Sequence, residues 1–414
     1  MQSGTNLPRV RDYNQGVILE AIRVEDGISR AEIAEKTGLT KQTVSVIVKR
    51  LLEEQLVREA GTMLSTGGKR AVKLKIEPDA RYAIGVQIDI DETTFVMMAL
   101  DGRVIVERQH LNGQGYAPEQ LVKEITACIE QLVQDAGVAS HKILGLGVGC
   151  PGPLNHFQGI VYDPPKLLGW HNVPLKKILE KRTGFPVVVD NDATAAAIGE
   201  RWIGGAQGVP NFAFIYMGVG IGGGLFINNQ IYRGSTTMAG EFGHITLDPN
   251  GPACFCGSRG CVEILCAPSV IDQAVQARLA QQEPSILQNT FQEDKDKVDY
   301  TLICQAALAG DNLALSEIDL AGWRIGCAAV SMVNLLDVEL IVLGGKAFRG
   351  VGELYRHKIQ QVLDEWLMAR DRREIKVELS AAGEKAVAVG AASLVLHELF
   401  SPRLSSLTPV EYTA

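Results

Sequence analysis

His244 is followed ten residues later by Cys254-Phe255-Cys256-Gly257-Ser258-Arg259-Gly260-Cys261, so one imidazole and three thiols fall within a single short segment. That donor set suits zinc. Four protein ligands close a tetrahedral shell and leave no position for a metal-bound water, so the expected role of Zn2+ on His244, Cys254, Cys256 and Cys261 is structural. Gly257 and Gly260 stand where a chain wrapping an ion needs positive φ. Cys128, Cys150, Cys266, Cys304 and Cys327 are scattered singly among apolar neighbours and read as small core hydrophobes, with no disulfide framework. Glu241 precedes His244 by three residues and Glu263 follows Cys261 by two, so two carboxylates flank the metal-fixed histidine and make a polar pocket.

A second polar cluster ends an apolar run. Val187-Val188-Val189 leads into Asp190-Asn191-Asp192 and then into small residues from Ala193, which reads as a strand feeding a helix. Asn191 and Asp192 then stand at the carboxyl end of a strand, where α/β sites form. Asp192 is a base able to accept a proton from a ligand hydroxyl. Gly145 to Gly152 leaves a buried strand and turns sharply; its glycines either admit a ligand to backbone amides or simply make the turn.

These groups need elements to hold them. Residues 84–106 read as strand, turn, strand, Asp101-Gly102 hairpin and strand, and residues 213–235 repeat the order with a glycine loop at Gly218 to Gly224 and a turn at Asn228-Asn229. A duplicated β-β-β unit followed by helices predicts an α/β fold of two facing lobes with the ligand between them.

The first 78 residues differ in kind. They carry 13 Lys+Arg against 10 Asp+Glu, a balance of +3, which leaves −11 of the net −8 for the remainder. A basic head on an acidic body points to a polyanion met by the head alone. Within it, Asn14 to Glu25 reads as an amphipathic helix, Ser29-Arg30-Ala31-Glu32 as a capping box opening a helix through Lys36, and Gly38 as its C-terminal stop. Thr40 caps the next helix, whose Val44, Ile47, Val48, Leu51 and Leu52 form one apolar face. Lys41, Gln42, Thr43, Ser45 and Lys49 are left for base edges and phosphates, as on a recognition helix. Arg58 to Ile76 alternates around Ser65-Thr66-Gly67-Gly68-Lys69-Arg70 and predicts a β-hairpin wing, with Lys69 and Arg70 able to enter a minor groove. At 414 residues, 46% apolar and 21% charged, the chain has room for two or three globular domains. It lacks a membrane-spanning run and an apolar signal core, so a cytoplasmic protein with no membrane partner is expected.

Asp190-Asn191-Asp192-Ala193, the Gly218–Gly224 loop, Glu241-Phe242-Gly243-His244 and the Cys-x-Cys-Gly-x-x-Gly-Cys segment ending in Glu263 together resemble the ROK family of repressors, open reading frames and kinases, over nearly the whole chain. The resemblance implies an actin-like, hexokinase-like fold in which Asn191, Asp192, Glu241, His244 and Glu263 hold a sugar. It also implies a division into a winged helix-turn-helix over 1–78, a two-lobed domain over 79–400 (small lobe about 80–197 plus helix 385–400, large lobe about 198–384) and a tail, 401–414. Family regulators carry such a head and family kinases lack it. Kinases also open with Asp-x-Gly-Gly-Thr, whereas this chain has Gln87-Ile88-Asp89-Ile90-Asp91, which would set carboxylates and side chains against a triphosphate. Leu343-Gly344-Gly345-Lys346 similarly shortens a glycine run, and Lys166 stands where kinases commonly have Asn.

The expected function is a non-enzymatic, sugar-responsive repressor of carbohydrate genes. It would bind a double-stranded DNA operator as a homodimer or homotetramer and take a sugar or sugar phosphate as effector. Xylose, glucose and N-acetylglucosamine are equally compatible with the contact set. The rival is an ATP-dependent sugar kinase with Asp192 as catalytic base, and a third reading has a sugar-transport protein sequester the repressor.

Overall fold

The computed structural model of the protein describes residues 7–25, 27–62, 71–112, 117–165, 167 and 169–401. In the head, α1 (Leu7–Val24), α2 (Arg30–Thr37) and α3 (Lys41–Glu53) precede a hairpin of β1 (Val57–Thr62) and β2 (Val72–Ile76). Next come β3 (Tyr82–Ile88), β4 (Glu92–Ala99), β5 (Val104–Leu111), α4 (Pro118–Ala136), β6 (Ile143–Cys150), β7 (Leu154–Asn155), β8 (Ile160–Val161), α5 (Leu175–Thr183), β9 (Val187–Asn191) and α6 (Asp192–Ile203). The chain continues through β10 (Phe212–Met217), β11 (Ile221–Ile227), β12 (Gln230–Ile231), α7 (Val262–Cys266), α8 (Pro268–Ala280), α9 (Gln288–Glu293), α10 (Tyr300–Leu308) and α11 (Asn312–Leu336). It ends with β13 (Leu340–Gly344), α12 (Gly352–Trp366), β14 (Lys376–Leu379) and α13 (Ala386–Phe400).

The local signals of the head act as expected. Ser29 and Glu32 exchange capping bonds, Gly38 takes φ 68° at the end of α2, and Thr40 Oγ1 accepts from the Thr43 N–H at the start of α3. Helix α1 starts at Leu7, earlier than the Asn14 its apolar pattern marks. Strands β1 and β2 pair antiparallel, and Ile28 bridges to Leu74 beside them. The wing tip with Lys69 and Arg70 lies outside the described residues, as does Lys166.

The internal repeat is a repeat of topology. One five-stranded sheet runs β5-β4-β3-β6-β9 and the other β12-β11-β10-β13-β14. In each, the first three strands pair antiparallel and the last two join in parallel. Asn228 and Asn229, at φ 51° and 62°, make the tight turn of the second unit.

Helices α6 and α13 fill the space between the sheets, and some of the glycines expected near a ligand pack against them instead. A Cβ on Gly147 of β6 would stand 1.7 Å from the Ala391 carbonyl oxygen of α13, and one on Gly149 2.7 Å from Val387. The Gly145–Gly149 run is therefore a helix-packing face, and only Gly152 beyond it reaches the cleft. The Gly218–Gly224 segment divides: Gly220, Gly222 and Gly223 line the cleft, whereas Gly224 packs on α6. Its loop is short, since β11 begins at Ile221, and a Cβ on Gly224 would meet Ala197 and the Ala193 carbonyl of α6 at 2.6 and 2.7 Å. Helix α13 is apolar on every side and buried from Ala386 to His397, as a helix between two sheets must be.

Candidate functional site: an interlobe cleft beside a metal-ligand loop

The carboxyl ends of β9 and β10 and the loop after β12 open on a cleft. All five residues expected to hold a sugar, Asn191, Asp192, Glu241, His244 and Glu263, line it, together with Asp89, Tyr216, Thr237 and the Gly220–Gly223 backbone. They come from three places: the β9–α6 junction, the 3-10 turn Phe242–His244 with Glu241 just before it, and α7. Asn191 is the N-cap of α6, and its Oδ1 accepts from the Ala193 and Thr194 amides at 3.0 and 3.4 Å, which leaves Nδ2 as the donor group toward the cleft. Asp192 Oδ1 accepts the Ala193 N–H at 2.7 Å. Glu263, in the first turn of α7, spends Oε2 on the Ile221 N–H at 2.7 Å and so ties the metal-loop side to β11.

Acidity in the cleft follows from crowding and desolvation. Burial raises Asp192 to about 7 against the pull of the Ala193 amide, and Asp89, Glu241 and Glu263 add to the rise. Desolvation by the cleft walls also raises Glu241, with His244 opposing and Glu263 reinforcing it, although much of that side chain stays open to solvent. Asp190, the third polar residue of the cluster, does not face a ligand. It is buried against Arg233 at 2.6 Å and accepts from the Asn191 N–H at 2.9 Å, so it joins the two sides of the cleft.

His244, Cys254, Cys256 and Cys261 come together with their donor atoms within 4.8 Å of one another. Cys254 Sγ lies 3.7 Å from His244 Nδ1, and Cys256 Sγ 3.7 Å from Cys261 Sγ. A tetrahedron of about 2.3 Å metal–sulfur bonds has edges near that length, so the donors fit a four-coordinate ion. The loop glycines behave as expected: Gly257 has φ 92° and Gly260 φ 54°, and a Cβ on Gly260 would strike the Asp248 carbonyl at 1.8 Å. Phe255, between two thiols, was not singled out by its sequence. It is 59% exposed, its ring stands edge-on to His244 at 5.1 Å, and it lines the cleft. An exposed aromatic held between metal ligands was the available signal.

The turn between β3 and β4 also departs from expectation. Asp89 and Asp91 do not stand as bare like charges, because Lys346 reaches across from the end of β13, with Nζ 2.9 Å from Asp89 and 3.6 Å from Asp91. Burial works against the charge on Lys346, but the two aspartates outweigh it and raise its pKa. The turn between β3 and β4 thus holds an internal ion pair.

On the head, Lys41, Gln42, Ser45 and Lys49 of α3 are exposed, with Lys49 3.8 Å from Glu53. Thr43 is half-buried and its hydroxyl bonds to Thr40 at 2.9 Å, so its first duty is the cap. Val46, 65% exposed among these polar residues, belongs to the same outer face.

Comparison with known proteins rests on this geometry. The sequence pattern of the ROK family matches residues 83–398, and a winged helix-turn-helix DNA-binding pattern matches residues 11–58. The chain belongs to the ROK family. A putative xylose repressor of Caldicellulosiruptor sp. (strain Rt8B.4) is 30% identical over 95% of this chain and 97% of its own. A glucokinase of Thermotoga maritima is 30% identical over 75% of this chain and 96% of its own. Among solved structures, a ROK family transcriptional regulator described as a homologue of the E. coli MLC protein superposes with a TM-score of 0.77 at 24% identity, covering 95% of this chain and 98% of that one, and so shares the fold. Among the described residues, no helix is long and apolar enough to cross a membrane.

Proposed function

We propose that the protein is a sugar-responsive, DNA-binding transcriptional repressor of carbohydrate uptake or catabolism genes. The observation that carries this reading is the union, in one chain, of a winged head with a cleft lined by amide, imidazole and carboxylates, and the Lys346–Asp89 pair at the turn where the family resemblance would put a triphosphate supports it. Asn191, Asp192, Glu241, His244 and Glu263 contact the sugar, since a hydroxyl both donates and accepts and is met by amide, imidazole and carboxylate alike. Lys41, Gln42, Ser45, Lys49 and the neighbouring Val46 meet the operator in the major groove, Val46 through a thymine methyl. Two copies sit on a palindromic site, as a dimer or within a tetramer, in the cytoplasm. The head is residues 1–78 and the lobes divide near residues 197 and 385.

His244, Cys254, Cys256 and Cys261 hold Zn2+, and the donor set supports this assignment. The ion would supply rigidity, fixing the His244 ring and the loop that carries Phe255 and leads to Glu263. Stripping metal with a chelator should lower the thermal midpoint and weaken sugar binding together.

A thermal-shift screen of xylose, glucose, N-acetylglucosamine and their phosphates tests the main reading, because a bound ligand raises the melting temperature by mass action. A hit should change operator affinity, and Glu241→Ala should abolish that response while leaving operator binding intact. A ligand that stabilises the protein yet leaves operator binding untouched would overturn the repressor assignment. The second reading, a sugar kinase, is favoured by Asp192 on the cleft floor and by the glucokinase relative. It requires turnover with ATP and magnesium that Asp192→Ala abolishes. Control by a sugar-transport protein would instead appear as sequestration with no sugar effect.

A further inference from the structure

Helix α6 has one end in the cleft and the other against the head. Asn191 caps its N-terminus and Asp192 opens its first turn, both lining the cleft. Arg201 and Trp202 sit in its last turn, about 15 Å farther along by helical rise. There Arg201 Nη2 donates to Glu20 of α1 and, at 3.0 Å, to Asn229 Oδ1. Arg23 of α1 donates to the Trp202 carbonyl and, at 3.3 Å, to that of Arg201, and its guanidinium lies 4.6 Å from the Trp202 ring centroid. Arg23 thus satisfies the last carbonyls of α6 from outside, at the helix end that favours a cation.

This contact is unusual for a junction between two domains. The Arg201 and Arg23 side chains are 8% and 6% exposed, and buried charge is costly unless geometry and partners are well matched. The apolar part of the junction, with Leu19, Leu100 and Leu396 in one cluster, tolerates sliding; the charged part is directional. Helix α6 cannot bend to absorb a displacement. It is buried on all sides from Ala193 to Trp202, and a Cβ on Gly199 would stand 2.9 Å from Gly390 of α13. A shift at residues 191–192 therefore arrives at residues 201–202 as a shift of the same rod.

We infer that α6 is the strut through which the cleft sets the orientation of the head, and that Arg201 and Trp202 are positioning residues acting on Glu20 and Arg23. The inference rests on the sugar-responsive reading and specifies its route. Linkage makes the effect reciprocal, so operator binding alters sugar affinity by the same factor along the same helix.

The test uses the full chain and a duplex that it selects from a random-sequence pool, with D-xylose and N-acetyl-D-glucosamine as probes. For the wild type, the responding sugar should change operator affinity by about 5- to 150-fold. Glu20→Gln and Arg23→Gln should each keep sugar affinity and sugar-free operator affinity within about threefold, while the sugar response shrinks below about twofold. A merely structural role would lower the melting temperature and leave that ratio intact. Full wild-type response in both variants overturns the strut, as does a lost response accompanied by lost sugar binding. A wild type indifferent to these two sugars and also to glucose and the sugar phosphates of the thermal-shift screen overturns the functional reading itself, and the strut with it, without recourse to any variant.

Discussion

Asp192 is a cleft carboxyl whose pKa burial raises strongly, and that has a measurable sign. A carboxyl raised to about 7 in the folded chain, above its ordinary value near 4, favours the folded state fully below pH 4 and loses that contribution as pH rises toward 7. Asp192→Asn, which never ionises, should therefore gain stability relative to wild type between pH 4 and pH 8, by at most about 4 kcal/mol, with the gain vanishing in acid. Denaturant titrations across that range check it. Sugar affinity should move the other way, strengthening as pH passes 7 because the ionised carboxylate is the better acceptor. Phe255 is the other residue with a distinct consequence. Its ring offers an apolar face to the C–H side of a pyranose, and Phe255→Ala should cost about 0.5–1.5 kcal/mol of sugar affinity with metal content unchanged. Calorimetry with a parallel metal assay separates that loss from damage to the loop.

Among the elements, glycine is where sequence and structure part most clearly. Gly147 and Gly137 are equally bare in the sequence, yet Gly147 faces a helix backbone and Gly137 faces open space at φ 61°. Gly147→Ala should force β6 and α13 apart and cost roughly 3 kcal/mol or more. Gly137→Ala should cost only about 1 kcal/mol, from the backbone conformation alone. Urea midpoints of the two variants measure the difference. The head's α2 and α3, by contrast, were legible, because a capping box, a Gly stop and an i, i+3, i+4 stripe are all local signals.

The whole molecule is held across its cleft by two ion pairs that join strand ends distant in sequence, Arg233–Asp190 and Lys346–Asp89. Removing Lys346 leaves Asp89 buried without its cation. Lys346→Ala should cost about 1–3 kcal/mol of stability and weaken sugar binding by favouring a wider cleft, as read by thermal unfolding and calorimetry. That pair explains why the β3–β4 turn tolerates acids where the kinase pattern has glycines. By itself the sequence determined the winged head, the duplicated strand units, the donor set on one tight loop and the five polar residues of the cleft. Each of these is written in local spacing or in residue types whose chemistry has few uses. Only the tertiary structure decided what a residue meets from far along the chain. It turned the Gly145–Gly149 run into a helix-packing face, set Lys346 against Asp89, and put the two ends of α6 in the cleft and on the head. Partners separated by tens to hundreds of residues leave no periodicity for a sequence to display, and packing alone brings them together.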